Sequence, residues 1–250
     1  METVKAAERT EGRCPTLEIA RALAEEPLSF EPGENYQYSL SLDVVGALVE
    51  AVSGQRFSDY CREHIFLPVG MEDTTFGITE DRLPRLATHY QFHERNKCAI
   101  EIGQLDQPYI FGSSYDSGGA GIVSTVGDQL LLAETLTHRG KAPNGNRILS
   151  SYAVDMMREN RLTPEQIATF SEAPHLSGYG YGYGVRTLLG PGDAGNIMPR
   201  GAFGWDGAKL CIFSACPESG VSFFHAEHMG GLHRVLIPRL RNIIYSCLDD

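Results

Sequence analysis

The order of its sequence patterns places this chain in the α+β class. Helical spacing of apolar residues predominates as far as residue 177, whereas strand-like alternation, a hairpin and a last amphipathic helix occupy residues 178–250. Helices followed by antiparallel strands are typical of α+β folds, in which the two kinds of element segregate. We therefore expect one domain with two parts: a helical lobe over residues 1–177, and an antiparallel sheet with a C-terminal helix over residues 178–250.

Composition excludes several classes of protein. The 250 residues are 42% hydrophobic, which is ordinary for a soluble globular chain, and the net charge of −11 is spread along the sequence. A nucleic-acid-binding protein needs a basic surface, which this composition does not favour. No apolar run is long enough to span a bilayer, and the first residues lack the apolar stretch of a signal peptide. We expect a cytoplasmic protein without nucleic-acid or membrane partners.

The cysteines predict free thiols rather than a disulfide framework. There are six, with no Cys-x-x-Cys pair among them: Cys14, Cys61, Cys98, Cys211, Cys216 and Cys247. In a chain of this length such cysteines are typically reduced and mostly buried. This interpretation agrees with a cytoplasmic location, where disulfides are rare.

Four helix starts are marked by residues that cap free backbone N–H groups. Thr16, Thr125, Ser150 and Thr163 each precede a helical pattern. Thr163 gives the clearest signal, because a proline follows it at the first helical position and Gln166 stands at the third.

A turn and a further helix are predicted over residues 30–54. Pro32 and Gly33 favour a tight turn, Ser39 or Ser41 is the expected helix cap, and Gly54 is the expected end. The apolar residues between them recur at three- and four-residue spacing: Val44, Ala47, Leu48, Ala51 and Val52.

The C-terminal part has strand patterns. Tyrosines and glycines alternate over residues 178–185, which predicts a strand with its tyrosines on one face. Residues 209–215 and 221–228 predict a hairpin, because a Pro-Glu-Ser-Gly turn joins them. Residues 235–248 predict an amphipathic helix.

Two motifs have alternative interpretations. The glycine-rich loop at residues 117–121 precedes a helix and could hold phosphate, but it lacks a Gly-Lys-Ser/Thr sequence, so a structural turn is favoured and no cofactor is expected. His225, Glu227, His228 and His233 offer metal ligands. A His-x-x-His pair on a strand points to opposite faces, so no metal site is expected there.

Two stretches resemble one family of enzymes. The order Phe-x-Pro-Gly-x-x-x-x-Tyr-Ser-Leu-x-x-Asp-Val-x-Gly, beginning at Phe30, is similar to the β-lactamase-related serine hydrolases, which include class C β-lactamases, penicillin-binding proteins and esterases. Trp205-Asp206-Gly207 resembles their third motif. Leu40 replaces the usual asparagine after the tyrosine, as in the esterase branch.

The resemblance implies a fold and a set of site residues. The fold would be β-lactamase/transpeptidase-like, with the active site between the helical lobe and the sheet. Tyr38 would assist proton transfer as a catalytic residue. The substrate, a small ester or amide, would be bound by Ser39, Trp205, Asp206, Gly207 and Ala208, with the N–H of Ala208 at the oxyanion. Asp206 stands where a small residue is usual, and its carboxylate would repel negative charge if it pointed inward.

The first motif of that family, Ser-x-x-Lys, is absent from the sequence. The chain has four lysines, and the residues three positions before them are Glu2, Glu94, His138 and Asp206. The family chemistry needs the lysine one helical turn after the serine, where it helps to deprotonate the nucleophile. We therefore expect the first strands and the nucleophile helix of the fold to be missing from these residues.

Two hypotheses follow from the missing motif. In the first, the chain is the C-terminal portion of a serine hydrolase, inactive alone, and an upstream or partner segment supplies Ser-x-x-Lys. In the second, it is a non-catalytic binding or regulatory module derived from that fold.

Overall fold

A computed structural model describes residues 14–102, 115–207, 209–230 and 233–248. Its helices are α1 (Thr16–Leu23), α2 (Ser41–Ser53), α3 (Phe57–Cys61), α4 (Leu67–Val69), α5 (Val126–Thr137), α6 (Ser151–Arg158), α7 (Pro164–Phe170) and α8 (His233–Ser246). A π-helical turn, Arg62–Phe66, joins α3 to α4. The strands are β1 (Thr75–Phe76), β2 (His89–His93), β3 (Cys98–Ile102), β4 (Ile122–Val123), β5 (Tyr179–Tyr181), β6 (Arg186–Leu188), β7 (Phe203–Gly207), β8 (Cys211–Cys216), β9 (Val221–Ala226) and β10 (Met229–Gly230).

The main sheet is antiparallel and contains five strands in the order β5-β6-β7-β8-β9. Two smaller sheets accompany it: β1 pairs with β4, and β2 pairs with β3 on one side and with β10 on the other. Helices precede the main sheet in the chain and α8 follows it, which confirms the predicted α+β class. The β2–β10 pairing joins the two predicted parts, and their boundary at residue 177 stays a prediction.

The main sheet is buried on both faces. On one face, Leu188 and Ile212 belong to a cluster that also contains Ile237 and Tyr245 of α8. On the other face, Phe203 and Ala215 cluster with Leu136 of α5 and Val154 of α6. Successive side chains of a strand point to opposite faces, and β8 accordingly contributes Ile212 to the first cluster and Ala215 to the second.

The capping residues predicted at Thr125, Ser150 and Thr163 are confirmed. The hydroxyl groups of Thr125, Ser150 and Thr163 each accept a hydrogen bond from the backbone N–H three residues later. Thr163 and Gln166 form the complete capping box, and Gly54 ends α2 in the left-handed conformation. These signals are local, which explains why the sequence was sufficient to find them.

Three local predictions were wrong. Pro15 rather than Thr16 stands at the N-cap position of α1, and the Thr16 hydroxyl donates to the carbonyl of Asp116 instead. Helix α2 has Leu40 at its N-cap position and no side-chain cap, so neither Ser39 nor Ser41 caps it. The tyrosine–glycine strand is also shorter than predicted, because β5 ends at Tyr181. The backbone N–H of Tyr183 instead donates to the carbonyl of Met157 at the end of α6, which diverts the chain from the sheet.

Helix α2 turns its large aliphatic side chains outward. Val44, Leu48 and Val52 are 47%, 61% and 80% exposed, whereas the buried residues of this helix are Asp43, Gly46 and Ala47. Apolar residues at this spacing ordinarily face a core. The neighbouring α1 and Phe57 instead approach the side of α2 that carries the small residues.

Two features bear on the composition-based expectations. None of the six cysteines forms a disulfide in the structure. No helix in the described part of the chain combines the length and apolarity required to cross a lipid bilayer.

Candidate active site

The segment before α2 is held against the rest of the molecule by hydrogen bonds at a tight turn. Gly33 has a φ of +93°, and the N–H of Glu34 closes the turn by donating to the carbonyl of Glu31 at 3.1 Å. The side-chain amide of Gln166 donates to the carbonyl of Gly33 at 2.7 Å. The same glutamine completes the capping box of α7, so this helix start also fixes the turn.

Tyr36 anchors the segment through aromatic contacts. Its ring lies edge-on to Phe170, with ring centroids 4.9 Å apart, and to Tyr181, with centroids 5.5 Å apart. Burial raises the pKa of the Tyr36 hydroxyl well above its ordinary value, with smaller contributions from Tyr181 and Tyr38. Tyr36 therefore stays protonated and serves as an apolar anchor.

Tyr38 stacks on Trp205. Tyr38 is 66% exposed, and its ring lies nearly parallel to that of Trp205, with centroids 5.6 Å apart and an angle of 18° between the planes. Trp205 also meets Tyr181 edge-on at 5.5 Å. The structure therefore brings together the two stretches that carry the sequence resemblance, although they are far apart in the chain.

Strand β7 has an open edge where it reaches Trp205. Its first residues, Phe203 and Gly204, pair with β6 on one side and with β8 on the other. From Trp205 to Gly207 the strand pairs with β8 alone in the part of the chain that the structure describes. An unpaired strand edge presents backbone N–H and C=O groups to an extended ligand or to a developing oxyanion.

The other residues predicted to bind substrate have different surroundings. Ser39 is exposed beside Tyr38, and its hydroxyl makes no hydrogen bond to the described residues. A Cβ atom on Gly207 would lie 3.3 Å from the Cβ of Cys211, so this glycine permits close packing between β7 and β8. Ala208 lies outside the described residues, and its role as an oxyanion donor stays a prediction.

The carboxylate of Asp206 is held between two arginines. It accepts from Arg186 Nη2 at 2.6 Å and from Arg241 Nη2 at 2.7 Å. The three side chains are only 11%, 4% and 6% exposed, in that order. The carboxylate is thus engaged at the interface with α8, where the two guanidinium groups offset the negative charge that would repel an oxyanion.

The two arginines were not among the residues selected from the sequence. Arg186 lies in the otherwise apolar or neutral run Val185-Arg186-Thr187-Leu188, and a buried arginine needs an acidic partner. That signal predicts an acidic partner but does not identify it, because Asp206 lies elsewhere in the chain. Arg241, the second arginine of the group, is also distant in the sequence. Burial lowers the pKa of the Arg186 guanidinium, and the nearby Asp206 carboxylate opposes this effect.

The glycine loop at residues 117–121 supports the first turn of α2. A Cβ atom on Gly118 would lie 2.1 Å from the carbonyl oxygen of Leu42, and one on Gly119 would lie 3.4 Å from Asp43 Oδ2. The loop backbone therefore packs directly against the helix that follows Tyr38. These contacts agree with the favoured interpretation of the loop as a structural turn.

The histidines considered as metal ligands have other partners. His225 Nε2 lies 3.0 Å from Glu227 Oε1, whereas His228 Nδ1 lies 2.9 Å from the carbonyl oxygen of Ala87. The side chain of His233 lies outside the description. Within the described ranges, no three His, Cys, Asp or Glu side chains are grouped in a way that could hold a metal ion.

Comparison with known proteins assigns the family. A family model described as Beta-lactamase matches residues 2–225, which is most of the chain. The chain belongs to the beta-lactamase family. This confirms the resemblance drawn from the residues around Tyr38 and Trp205.

Individual relatives include esterases. Protein Rv1367c of Mycobacterium tuberculosis is 32% identical over 228 residues, which cover 84% of this chain and 56% of that protein. Esterase EstB of Burkholderia gladioli is 30% identical over 245 residues, which cover 92% of this chain and 59% of EstB. The chain therefore spans a little over half the length of these curated relatives.

A solved structure supports the fold. EstCE1, described as a hydrolase with promiscuous acyltransferase activity, aligns with a TM-score of 0.75 at 24% identity, over 97% of this chain and 66% of EstCE1. At this identity the likeness concerns the fold alone. The β-lactamase/transpeptidase-like fold predicted from the resemblance is confirmed.

Proposed function

We propose that this chain carries the tyrosine-bearing part of a serine hydrolase active site of esterase or acyltransferase type. Its substrate would be a small ester or amide, and the nucleophile would come from a segment outside these 250 residues. The observation that carries the proposal is the stack of Tyr38 on Trp205 at the open edge of β7. The name of EstB and the description of EstCE1 support ester and acyl-transfer chemistry in related proteins.

The proposed reaction proceeds through an acyl-enzyme. The serine oxygen of Ser-x-x-Lys attacks the carbonyl carbon while its proton passes to the lysine and Tyr38 pair. The carbonyl oxygen becomes an oxyanion at the backbone N–H groups near the end of β7. The leaving oxygen or nitrogen then takes the proton as its bond to carbon breaks. Water, or an acceptor alcohol, releases the acyl group by the same steps in reverse.

Three features support an external source for the nucleophile. Ser-x-x-Lys does not occur in the sequence. The matched regions cover only 56% and 59% of Rv1367c and EstB, so these relatives contain a large part that has no counterpart here. Val44, Leu48 and Val52 form an exposed aliphatic row on α2, the helix that follows Tyr38 in the chain. The segment that carries Ser-x-x-Lys would pack its apolar side against this row.

A second candidate is a non-catalytic binding module. It is favoured by the absence of a serine three residues before any of the four lysines. In that case the cleft beside Tyr38 and Trp205 would bind a small ligand without turnover. Trp205 is the only tryptophan of the chain, so ligand binding should change the protein's tryptophan fluorescence.

The test combines covalent labelling with inspection of the coding sequence. The purified chain and its Tyr38→Phe variant are exposed to a fluorophosphonate probe, and their intact masses are measured. We expect no adduct on the folded chain, together with a Ser-x-x-Lys motif in the reading frame upstream of residue 1. Tyr183→Phe serves as the control, because Tyr183 contacts Arg161 rather than Trp205.

Two results would contradict the proposal. One adduct that disappears in Tyr38→Phe would place a usable nucleophile inside the chain, and the external source would be wrong. An upstream frame without Ser-x-x-Lys, combined with no adduct and with saturable quenching of Trp205 by a small ester, would favour the binding module.

A further inference from the structure

Three charged side chains are buried together behind strand β7. The Asp206 carboxylate accepts hydrogen bonds from Arg241 Nη2 at 2.7 and 3.0 Å, and Arg186 Nη2 lies 2.6 Å from it. Two guanidinium groups and one carboxylate leave a net charge of +1 in this cluster. We call these three residues the β7 triad.

Stability alone is a weak reason for such a triad. Removing charges from water is costly, and well-packed apolar side chains of similar volume are often as stable as a buried ion pair. Hydrogen-bonded charges nevertheless impose directions that apolar packing does not, since each guanidinium donates along fixed N–H vectors. The position of the β7 triad therefore indicates which part of the structure these hydrogen bonds hold in place.

The β7 triad joins three elements at the point where the cleft edge opens. Arg186 belongs to β6 and stands opposite Gly204, the last residue of β7 that has a partner in β6. Arg241 comes from α8, on the sheet face opposite α5 and α6. Asp206 belongs to the part of β7 that has only β8 beside it.

The β7 triad also contacts the aromatic residues of the site. The Arg186 guanidinium carbon lies 5.9 Å from the centre of the Trp205 ring and 4.9 Å from that of Tyr179. Trp205 is the ring on which Tyr38 stacks. A path of direct contacts thus runs from Asp206 through Arg186 to Trp205 and then to Tyr38.

We infer that Asp206 is a positioning residue: through Arg186 and Arg241 it holds the open edge of β7 and orients Trp205 for its stack on Tyr38. Its carboxylate need not touch substrate for this role. The consequence for catalysis rests on the proposed function, whereas the effect on Trp205 can be measured in this chain alone.

The experiment measures how far Tyr38 shields Trp205. Acrylamide quenching of tryptophan fluorescence is compared between the parent chain and Tyr38→Ala, and the difference is the Tyr38-dependent protection. The comparison is repeated in Asp206→Asn, Asp206→Glu and Arg186→Met backgrounds. Urea unfolding followed by circular dichroism measures the stability of each variant separately.

A positioning role predicts a specific pattern. Asp206→Asn should abolish the Tyr38-dependent protection, because the two arginines lose the negative charge between them and repel each other. Asp206→Glu keeps a carboxylate and should restore part of the protection. Arg186→Met leaves the neutral pair of Asp206 and Arg241, so it should fold, and it should lose the protection because the contact with Trp205 is gone.

Other results would overturn the inference. If Asp206→Asn or Arg186→Met lowers the unfolding midpoint but keeps the full Tyr38-dependent protection, the β7 triad serves stability only. If Asp206→Asn fails to fold, the Tyr38-dependent protection measured in Arg186→Met tests the inference by itself. Arg139→Met is the control, because Arg139 pairs with Asp155 near the surface and should leave the protection unchanged. None of these readouts requires turnover, so a failure of the labelling experiment leaves this test intact.

Discussion

At the scale of single residues, two neighbouring tyrosines have opposite roles. Tyr36 packs edge-on against Phe170 and Tyr181, and burial keeps its hydroxyl protonated. Tyr38, two residues later, projects to the exposed side and contacts Trp205 by its ring face. The partly buried ring of Tyr36 holds the segment, while the ring of Tyr38 stays exposed to solvent. The anchor thus restricts where the hydroxyl of Tyr38 can lie.

Replacing Tyr38 by alanine should expose Trp205 without unfolding the protein. We expect red-shifted tryptophan emission and stronger acrylamide quenching, because one face of the indole ring loses its cover. An aromatic pair contributes about 0.5–1.5 kcal/mol, and the exposure of Tyr38 argues for the lower end of that range. Fluorescence and urea unfolding check the two effects.

Tyr183→Ala is the matched control for this change. Tyr183 is also an exposed tyrosine, but its ring lies against the guanidinium of Arg161. Its removal should leave the emission of Trp205 unchanged. Equal spectra for Tyr38→Ala and the parent chain would contradict the stack.

At the scale of elements, the position of Tyr38 depends on a helix and a loop. Helix α2 begins three residues after Tyr38, and its first turn rests on the glycine loop at residues 117–121. Gly118 has no room for a Cβ atom because the carbonyl oxygen of Leu42 occupies that place. The loop therefore contributes to the site by fixing the start of α2.

Gly118→Ala should disturb the site as well as the fold. The added Cβ atom would meet the Leu42 carbonyl oxygen at 2.1 Å, so either the loop or the first turn of α2 must move. We expect the free energy of unfolding to fall by about 1–3 kcal/mol, as is usual for overpacking. Acrylamide quenching of Trp205 should also change, because Tyr38 moves with α2.

Gly127→Ala provides the comparison. Gly127 lies in the first turn of α5, and the nearest atom to its added Cβ would be Thr125 Oγ1 at 3.8 Å. Because alanine favours helix more than glycine does, stability should rise by up to about 1 kcal/mol. If Gly118→Ala behaved like Gly127→Ala, the close packing of the loop would be refuted.

At the scale of the whole molecule, the main sheet is covered on both faces, whereas one face of α2 is exposed. Helix α8 covers one face of the sheet, and α5 and α6 cover the other. The aliphatic row of α2, by contrast, is exposed. Because the chain aligns with 66% of EstCE1, about a third of that related fold has no counterpart in these residues. The exposed row is consistent with a surface that this remaining part would cover.

Polar substitutions on the exposed row should cost this chain little stability. We expect Leu48→Ser combined with Val52→Ser to change the free energy of unfolding by no more than about 1 kcal/mol, since each is a surface change. Self-association at high protein concentration should decrease, because less apolar surface is exposed. Urea unfolding and sedimentation velocity provide the measurements.

Val154→Ser is the control for a buried aliphatic residue. Val154 is fully buried in α6, and its replacement should cost about 2 kcal/mol or more through the lost apolar contacts and the buried hydroxyl. An equally large loss in the Leu48 and Val52 double variant would mean that the row is already covered in the isolated chain.

Local chemistry in the sequence determined much of this protein. The α+β order, the caps at Thr125, Ser150 and Thr163, and the end of α2 at Gly54 each depend on residues close together in the chain. The motifs around Tyr38 and Trp205 were sufficient to indicate the family, because both consist of contiguous residues.

Only the tertiary structure decided how those motifs are used. The stack of Tyr38 on Trp205, the direction of the Asp206 carboxylate and the exposed face of α2 all involve contacts between distant parts of the chain. Periodicity indicates that α2 is amphipathic, but it does not say which side meets a neighbour. An aspartate on a strand can point to either face of the sheet, and here the arginines of β6 and α8 fix the choice.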